Sequence, residues 1–95
     1  MIAVSVRKDG ISVLGHSGYA PAGKDIVCAA VSTLVCTLVN SLEALTKDKI
    51  EYQISDGTGI IRYGDLSEAG KLLVDSFFIG ISAISEQYPE HVRIG

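Results

Sequence analysis

His16 and Cys28 are the two side chains whose types and spacing suit nucleophilic chemistry, and a glycine-bearing stretch separates them. Cysteine attacks as its thiolate, which is favoured where free backbone N–H groups and the positive end of a helix dipole face it. Cys28 meets that condition if Asp25 caps a helix, because it then falls in the first turn. The stretch Ser17 to Val27 can extend to roughly 36–40 Å, ample for His16 to fold back to within about 3.5 Å of the sulfur. Gly18, Pro21 and Gly23 suit a loop that bends sharply and closes over a peptide. A Cys–His pair with backbone N–H groups as an oxyanion hole is the smallest set that performs acyl transfer. One of those groups would be the N–H of Cys28 itself. Tyr19 and Ile26, beside the loop, are expected to receive apolar side chains of a substrate.

The same residues have plainer readings that spacing leaves open. Cys28 also falls near the side of the helix that carries Val31, Val35 and Leu42, where a small side chain is simply buried. His16 at a strand end can do no more than hydrogen-bond a carbonyl. Asp25 is a helix cap in either case, and orients His16 only in the first. Cys36 reads as core. It lies about 12 Å farther along the helix at 1.5 Å per residue, too far from Cys28 for a disulfide. That distance also rules out a shared metal, so the two cysteines and two histidines form no zinc site and no cofactor is expected. His91, in a polar tail after Pro89, reads as solvated. Asp56-Gly57-Thr58-Gly59 lacks the strand–GxGxxG–helix context of a dinucleotide site and reads as a turn.

The elements that must hold these residues follow from periodicity. Residues 2–7 alternate, Lys8-Asp9-Gly10 turns, and 11–15 form a second strand, a hairpin signal. From Asp25 to about Thr46 the pattern is helical, with Val27, Val31, Leu34, Leu38, Leu42 and Leu45 as its stripe. The opposite side is also apolar in part, so this helix is expected to be covered on more than one side. Residues 50–55 and 60–63 make a second strand pair. A second helix runs from Asp65 to about Tyr88, capped by Asp65 or Ser67, with Leu72, Leu73, Phe77, Ile81 and Ile84 as its stripe. Pro89 ends it, and residues 91–94 add a short strand. The order ββα–ββα(β) predicts an α/β, or α+β two-layer, domain with two helices packed on an antiparallel or mixed sheet.

Ninety-five residues make one domain, 1–95. The hydrophobic fraction of 47% and mean hydropathy of +0.35 are high for so small a body, so a substrate groove or a subunit interface must take up the excess. A homodimer is expected on that ground. With a net charge of −3, no basic run and no Trp, direct nucleic-acid binding is not expected. The first ten residues alternate and carry charge, unlike a signal peptide. The longest apolar run, Ile26 to Val39, is broken by Ser32, Thr33 and Thr37 and is shorter than the ~20 residues that span a bilayer. The expectation is a soluble, cytoplasmic chain with reduced thiols and no membrane partner.

The run from Gly15 to Ala20, G-H-S-G-Y-A, followed by G-K-D-I-V-C-A-A-V-S from Gly23 to Ser32, resembles the signature of the ribosomal-processing cysteine protease family, Prp. The similarity extends over the whole chain, in length and in element order. It implies a homodimeric α/β endopeptidase that removes an N-terminal extension from large-subunit ribosomal protein L-twenty-seven, cutting after a hydrophobic, aromatic-ended motif. It implies Cys28 as nucleophile and His16 as base, with Asp25 at the family's acidic position. Gly15, Gly18 and Gly23 match the loop glycines, and Ser17, Tyr19, Ala20, Pro21, Ala22 and Lys24 complete a flexible substrate loop. Ser17 stands where family members often have Ala. The rival reading is a non-enzymatic ribosome-assembly or protein-interaction module with an inert core cysteine.

Overall fold

Alternating apolar and polar side chains over Ile2–Arg7 and Gly10–Leu14 give strands β1 and β2, and the same pattern gives β3 (Ile50–Ser55) and β4 (Thr58–Tyr63). Helical periodicity gives α1 (Ile26–Leu45) and α2 (Glu68–Gln87), and Val92–Ile94 adds β5. The structure is a computed structural model that describes residues 1–95. The strands form one sheet in the order β3-β4-β2-β1-β5. Every neighbouring pair is antiparallel except β1 and β5, which run parallel. This is the two-layer α+β domain with a mixed sheet that the pattern predicts.

Register shows which face the helices cover. Val4 sits opposite Val13, Ile11 opposite Ile61 and Ile2 opposite Val92, so all six share one face, and all six are buried. The other face carries Ser5, Arg7, Ser12, Arg62, Glu51 and Gln53, none of them buried. One side of the sheet is therefore dry and the other wet, as expected of a largely antiparallel sheet. Val27, Val31, Val35, Leu38, Val39 and Leu42 of α1, with Val74, Phe77 and Ile81 of α2, close the core over the dry face.

Several boundaries and faces differ from the sequence reading. β2 ends at Leu14 and leaves Gly15 outside the strand, at φ +101°. Thr58 and Gly59 belong to β4, so the turn is Asp56-Gly57 alone. Ser67, not Asp65, caps α2, its hydroxyl accepting from the Gly70 N–H at 3.1 Å. Leu72 is exposed because the buried residues of α2 step through Gly70, Val74, Phe77 and Ile81, and two residues along a helix is about 200° of rotation, the opposite side. Leu45, in the last turn of α1, is exposed as well. α1 is covered by the sheet and by α2, where Leu34 packs so close that a Cβ on Gly80 would come within 3.1 Å of it. It also runs six residues beyond Val39. By length and composition alone it is apolar enough to cross a membrane, although here six of its residues belong to the core.

Candidate active site

The site gathers at the ends of three elements: the exit of β2, the start of α1 and the turn between β3 and β4. Asp25 starts α1 as expected. Its Oδ1 accepts the Cys28 N–H at 2.9 Å, which fixes Cys28 in the first turn. The loop before the helix folds back so that the Ser17 N–H reaches Cys28 Sγ at 3.3 Å. Ser17 follows His16 directly, so this contact brings the histidine and the cysteine to one place. Cys28 is half-buried against the core and His16 is exposed.

Ser17 is the junction of the loop and is 2% exposed. Its hydroxyl donates a short hydrogen bond to Asp25 Oδ2, and its carbonyl accepts from His91 Nδ1 at 2.9 Å. Asp25 Oδ2 also accepts from the Tyr19 N–H at 3.2 Å and the Ala20 N–H at 3.4 Å. The Ser17 hydroxyl contributes most to holding the Asp25 carboxyl well below the usual carboxylate range, helped by the N–H groups of Cys28 and Ala20 and opposed by burial. One carboxylate thus closes the loop and caps the helix. No hydrogen bond joins Asp25 to His16; the carboxylate acts on the neighbour, Ser17.

His16 rests on the β3–β4 turn. The Gly15 N–H donates to the Gly57 carbonyl at 2.9 Å. Gly57 has φ +73°, and a Cβ there would lie 2.8 Å from His16 Nε2. The sequence marks Asp56-Gly57 as a turn but holds no signal that this turn lies under the histidine. Two depressions meet at the site. The first is a cavity of about 110 Å³ between α1 and the β3–β4 hairpin, with Val13, Val31, Val35 and Ile54 among its walls. The second runs along the loop, past Gly18, Ala20, Ala22, Gly23 and Lys24 to the exposed Ile26. His16, Cys28, Ser32 and Asp56 line both, which is the arrangement an extended chain laid across a nucleophile requires.

The family model described as Cysteine protease Prp matches residues 1–93. A Staphylococcus aureus relative named ribosomal processing cysteine protease Prp is 30% identical, over 84% of this chain and 78% of its own length. The chain belongs to the Prp family of cysteine proteases. A Mycoplasma genitalium Prp is 29% identical over 99% of this chain and 94% of its own. The fold also matches a crystal structure of the S. aureus Prp described as holding a covalently linked product peptide, with TM-score 0.89, 25% identity, and coverage of 99% of this chain and 95% of that one. A Streptococcus mutans structure matches at TM-score 0.78 and 35% identity, covering 98% and 89%.

Within this Prp-family protease, four expectations change. Cys36 is exposed and lines the cavity with Cys28 instead of sitting in the core. It follows Val35 by one residue, about 100° around the helix and off the buried stripe. His91 is half-buried and bonded to Ser17, not solvated. Tyr19 turns away from the cavity, its ring edge-on to Tyr88 and to His91 at 5.5 Å each, so the apolar walls come from Val31, Val35 and Ile54. The Cys28 N–H is engaged by the Asp25 cap, and the amide beside the sulfur is that of Ser17. Of the loop residues, Gly18, Tyr19, Pro21, Ala22, Gly23 and Lys24 are exposed, while Ser17 is buried and Ala20 half-buried.

Proposed function

We propose that this cysteine protease removes the N-terminal extension of a large-subunit ribosomal protein, L-twenty-seven in the resemblance above, with Cys28 as nucleophile and His16 as general base. The observation that carries the reading is that His16 and Cys28 line both depressions where they meet. Its support for a ribosomal substrate is that the relatives bear the name ribosomal processing protease.

In the proposed mechanism His16 takes the proton from Cys28 Sγ, and the sulfur attacks the scissile carbonyl carbon. As the carbon–sulfur bond forms, sulfur loses its negative charge. The Ser17 N–H, which stands on Sγ in the resting site, is then available to the developing oxyanion. The tetrahedral intermediate collapses with cleavage of the carbon–nitrogen bond, and His16 gives its proton to the departing amine. His16 next takes a proton from water, which attacks the thioester. The carboxylic-acid product leaves and Sγ regains its proton. The cavity beside Val31, Val35 and Ile54 would take an apolar side chain next to the cleaved bond, while the second depression would receive chain on the other side. The enzyme would work in the cytoplasm, where thiols stay reduced, and as a homodimer whose interface covers part of the exposed apolar surface.

The test is incubation with an extended ribosomal-protein substrate. The wild type is expected to cleave near the N-terminus, and Cys28→Ala and His16→Ala to leave the substrate intact. Cleavage by Cys28→Ala at the wild-type rate would end the assignment.

A further inference from the structure

The tail after α2 reaches into the site through one side chain. His91 is anchored by its backbone at both ends: its N–H donates to the Tyr88 carbonyl at 3.0 Å, and its carbonyl accepts from the Ile2 N–H at 2.9 Å. From this fixed base Nδ1 meets the Ser17 carbonyl at 2.9 Å, and the ring lies edge-on to Tyr19. A carbonyl only accepts, so Nδ1 carries the proton. The opposite side of Ser17 presents its N–H to Cys28 Sγ, and its hydroxyl goes to Asp25. All three polar groups of this buried residue are therefore spoken for, one of them by His91.

We propose that His91 is a positioning residue of the active site: by holding the Ser17 carbonyl, it aims the Ser17 N–H at the nucleophile and fixes the chain just after His16. The inference rests on the reading of Cys28 and His16 as the reacting pair, and it adds a residue that touches neither. It also divides the loop into two parts. Ser17 and Tyr19 are pinned by His91, Tyr88 and Asp25, whereas Pro21 to Lys24 are exposed and held by little beyond one Lys24 N–H to Pro21 carbonyl bond at 3.0 Å. Substrate entry then moves the outer loop and leaves its root in place, so the sulfur's hydrogen bond outlasts opening.

Two substitutions separate the hydrogen bond from the packing. His91→Phe keeps a flat ring against Tyr19 and removes the donor, while His91→Asn keeps an N–H near the Nδ1 position and removes the ring. The first readout is the rate at which iodoacetamide alkylates Cys28, mapped by mass spectrometry, which needs no substrate. The second is kcat and KM on a synthetic peptide of the ribosomal-protein extension. His91→Phe is expected to slow both Cys28 alkylation and kcat about five- to tenfold, the worth of one hydrogen bond, with KM close to wild type and Tm lowered modestly because the buried Ser17 carbonyl loses its donor. His91→Asn is expected to recover most of both rates. Wild-type rates in His91→Phe would overturn the proposal, as would equal losses in both variants that track a fall in Tm. In the unmodified protein, a long-range proton–nitrogen spectrum showing neutral His91 protonated at Nε2 would overturn it too. If the wild type fails to cleave the peptide, the proposed substrate is at fault, and the alkylation rates still decide the role of His91.

Discussion

The two cysteines offer a comparison inside one molecule. Cys36 is exposed and Cys28 half-buried, so exposure alone makes Cys36 the faster to alkylate. Cys28 stands in the first turn of α1, receives the Ser17 N–H on its sulfur and lines the same depressions as His16, so it is placed for attack. We expect iodoacetamide near neutral pH to modify Cys28 on the order of tenfold faster than Cys36, read by peptide mapping over a time course. Faster labelling of Cys36 would show that the site lends Cys28 no special reactivity. Asp25 yields a second comparison. Asp25→Asn keeps an oxygen for the Cys28 N–H but turns an NH2 toward three donors, the Ser17 hydroxyl and the N–H groups of Tyr19 and Ala20. The helix cap survives while the loop root loosens, so activity should fall more than Tm. The folded carboxyl sits below its unfolded value, so its contribution to stability is complete above about pH 3.9 and is lost as acid takes the pH through the folded value. A pH–Tm series should therefore show the wild type and Asp25→Asn converging only in strong acid.

Turns and strand ends set the geometry at the next scale. Gly57 belongs to a two-residue turn, yet its bare Cα is what lets His16 lie over the β3–β4 hairpin. Gly57→Ala brings a Cβ to 2.8 Å from Nε2 at a positive φ. The ring is exposed and can swing aside, so the fold should survive with a strain of about 1–2 kcal/mol. The displaced histidine should lower kcat at least about tenfold, because misplacement of about 1 Å in a catalytic group is costly. Steady-state cleavage beside a thermal melt measures both. The same turn marks how far the sequence can be read. Asp-Gly between alternating runs announces a hairpin, and the helix start at Asp25 was legible from one capping residue and its apolar spacing. That residues 56–57 lie under residue 16, or that residue 91 meets residue 17, depends on the pairing of β2 with β4 and of β1 with β5. Strand order is a long-range property that local pattern does not encode. Cys36 and Leu72 are exposed against the periodicity for a related reason: both sit on helices apolar around much of their circumference, where periodicity cannot say which flank the sheet will cover.

For the molecule as a whole, the apolar excess visible in the composition is only partly absorbed by the cleft. The core takes one face of the sheet and one stripe of each helix, and Val31, Val35 and Ile54 line the cavity. Leu72 and Ile79 remain 70% and 71% exposed. They are seven residues apart on α2, two turns along one side, with Phe78 beside Ile79, and nothing in the protomer covers that side. An apolar patch along one side of a helix suits a two-fold axis, where the same residues meet their own copies. This argues for the homodimer more specifically than hydropathy did, because it names a surface remote in sequence from the nucleophile. Sedimentation at about 10 µM should give twice the 10.0 kDa protomer mass for the wild type, well above the Kd expected of an obligate interface. The double substitution Leu72→Glu and Ile79→Glu should give the protomer mass, with circular dichroism unchanged since neither side chain reaches the core. A monomeric wild type would remove the dimer from the proposal. A dimer that survives both glutamates would move the interface elsewhere, to the wet face of the sheet or the exposed side of α1.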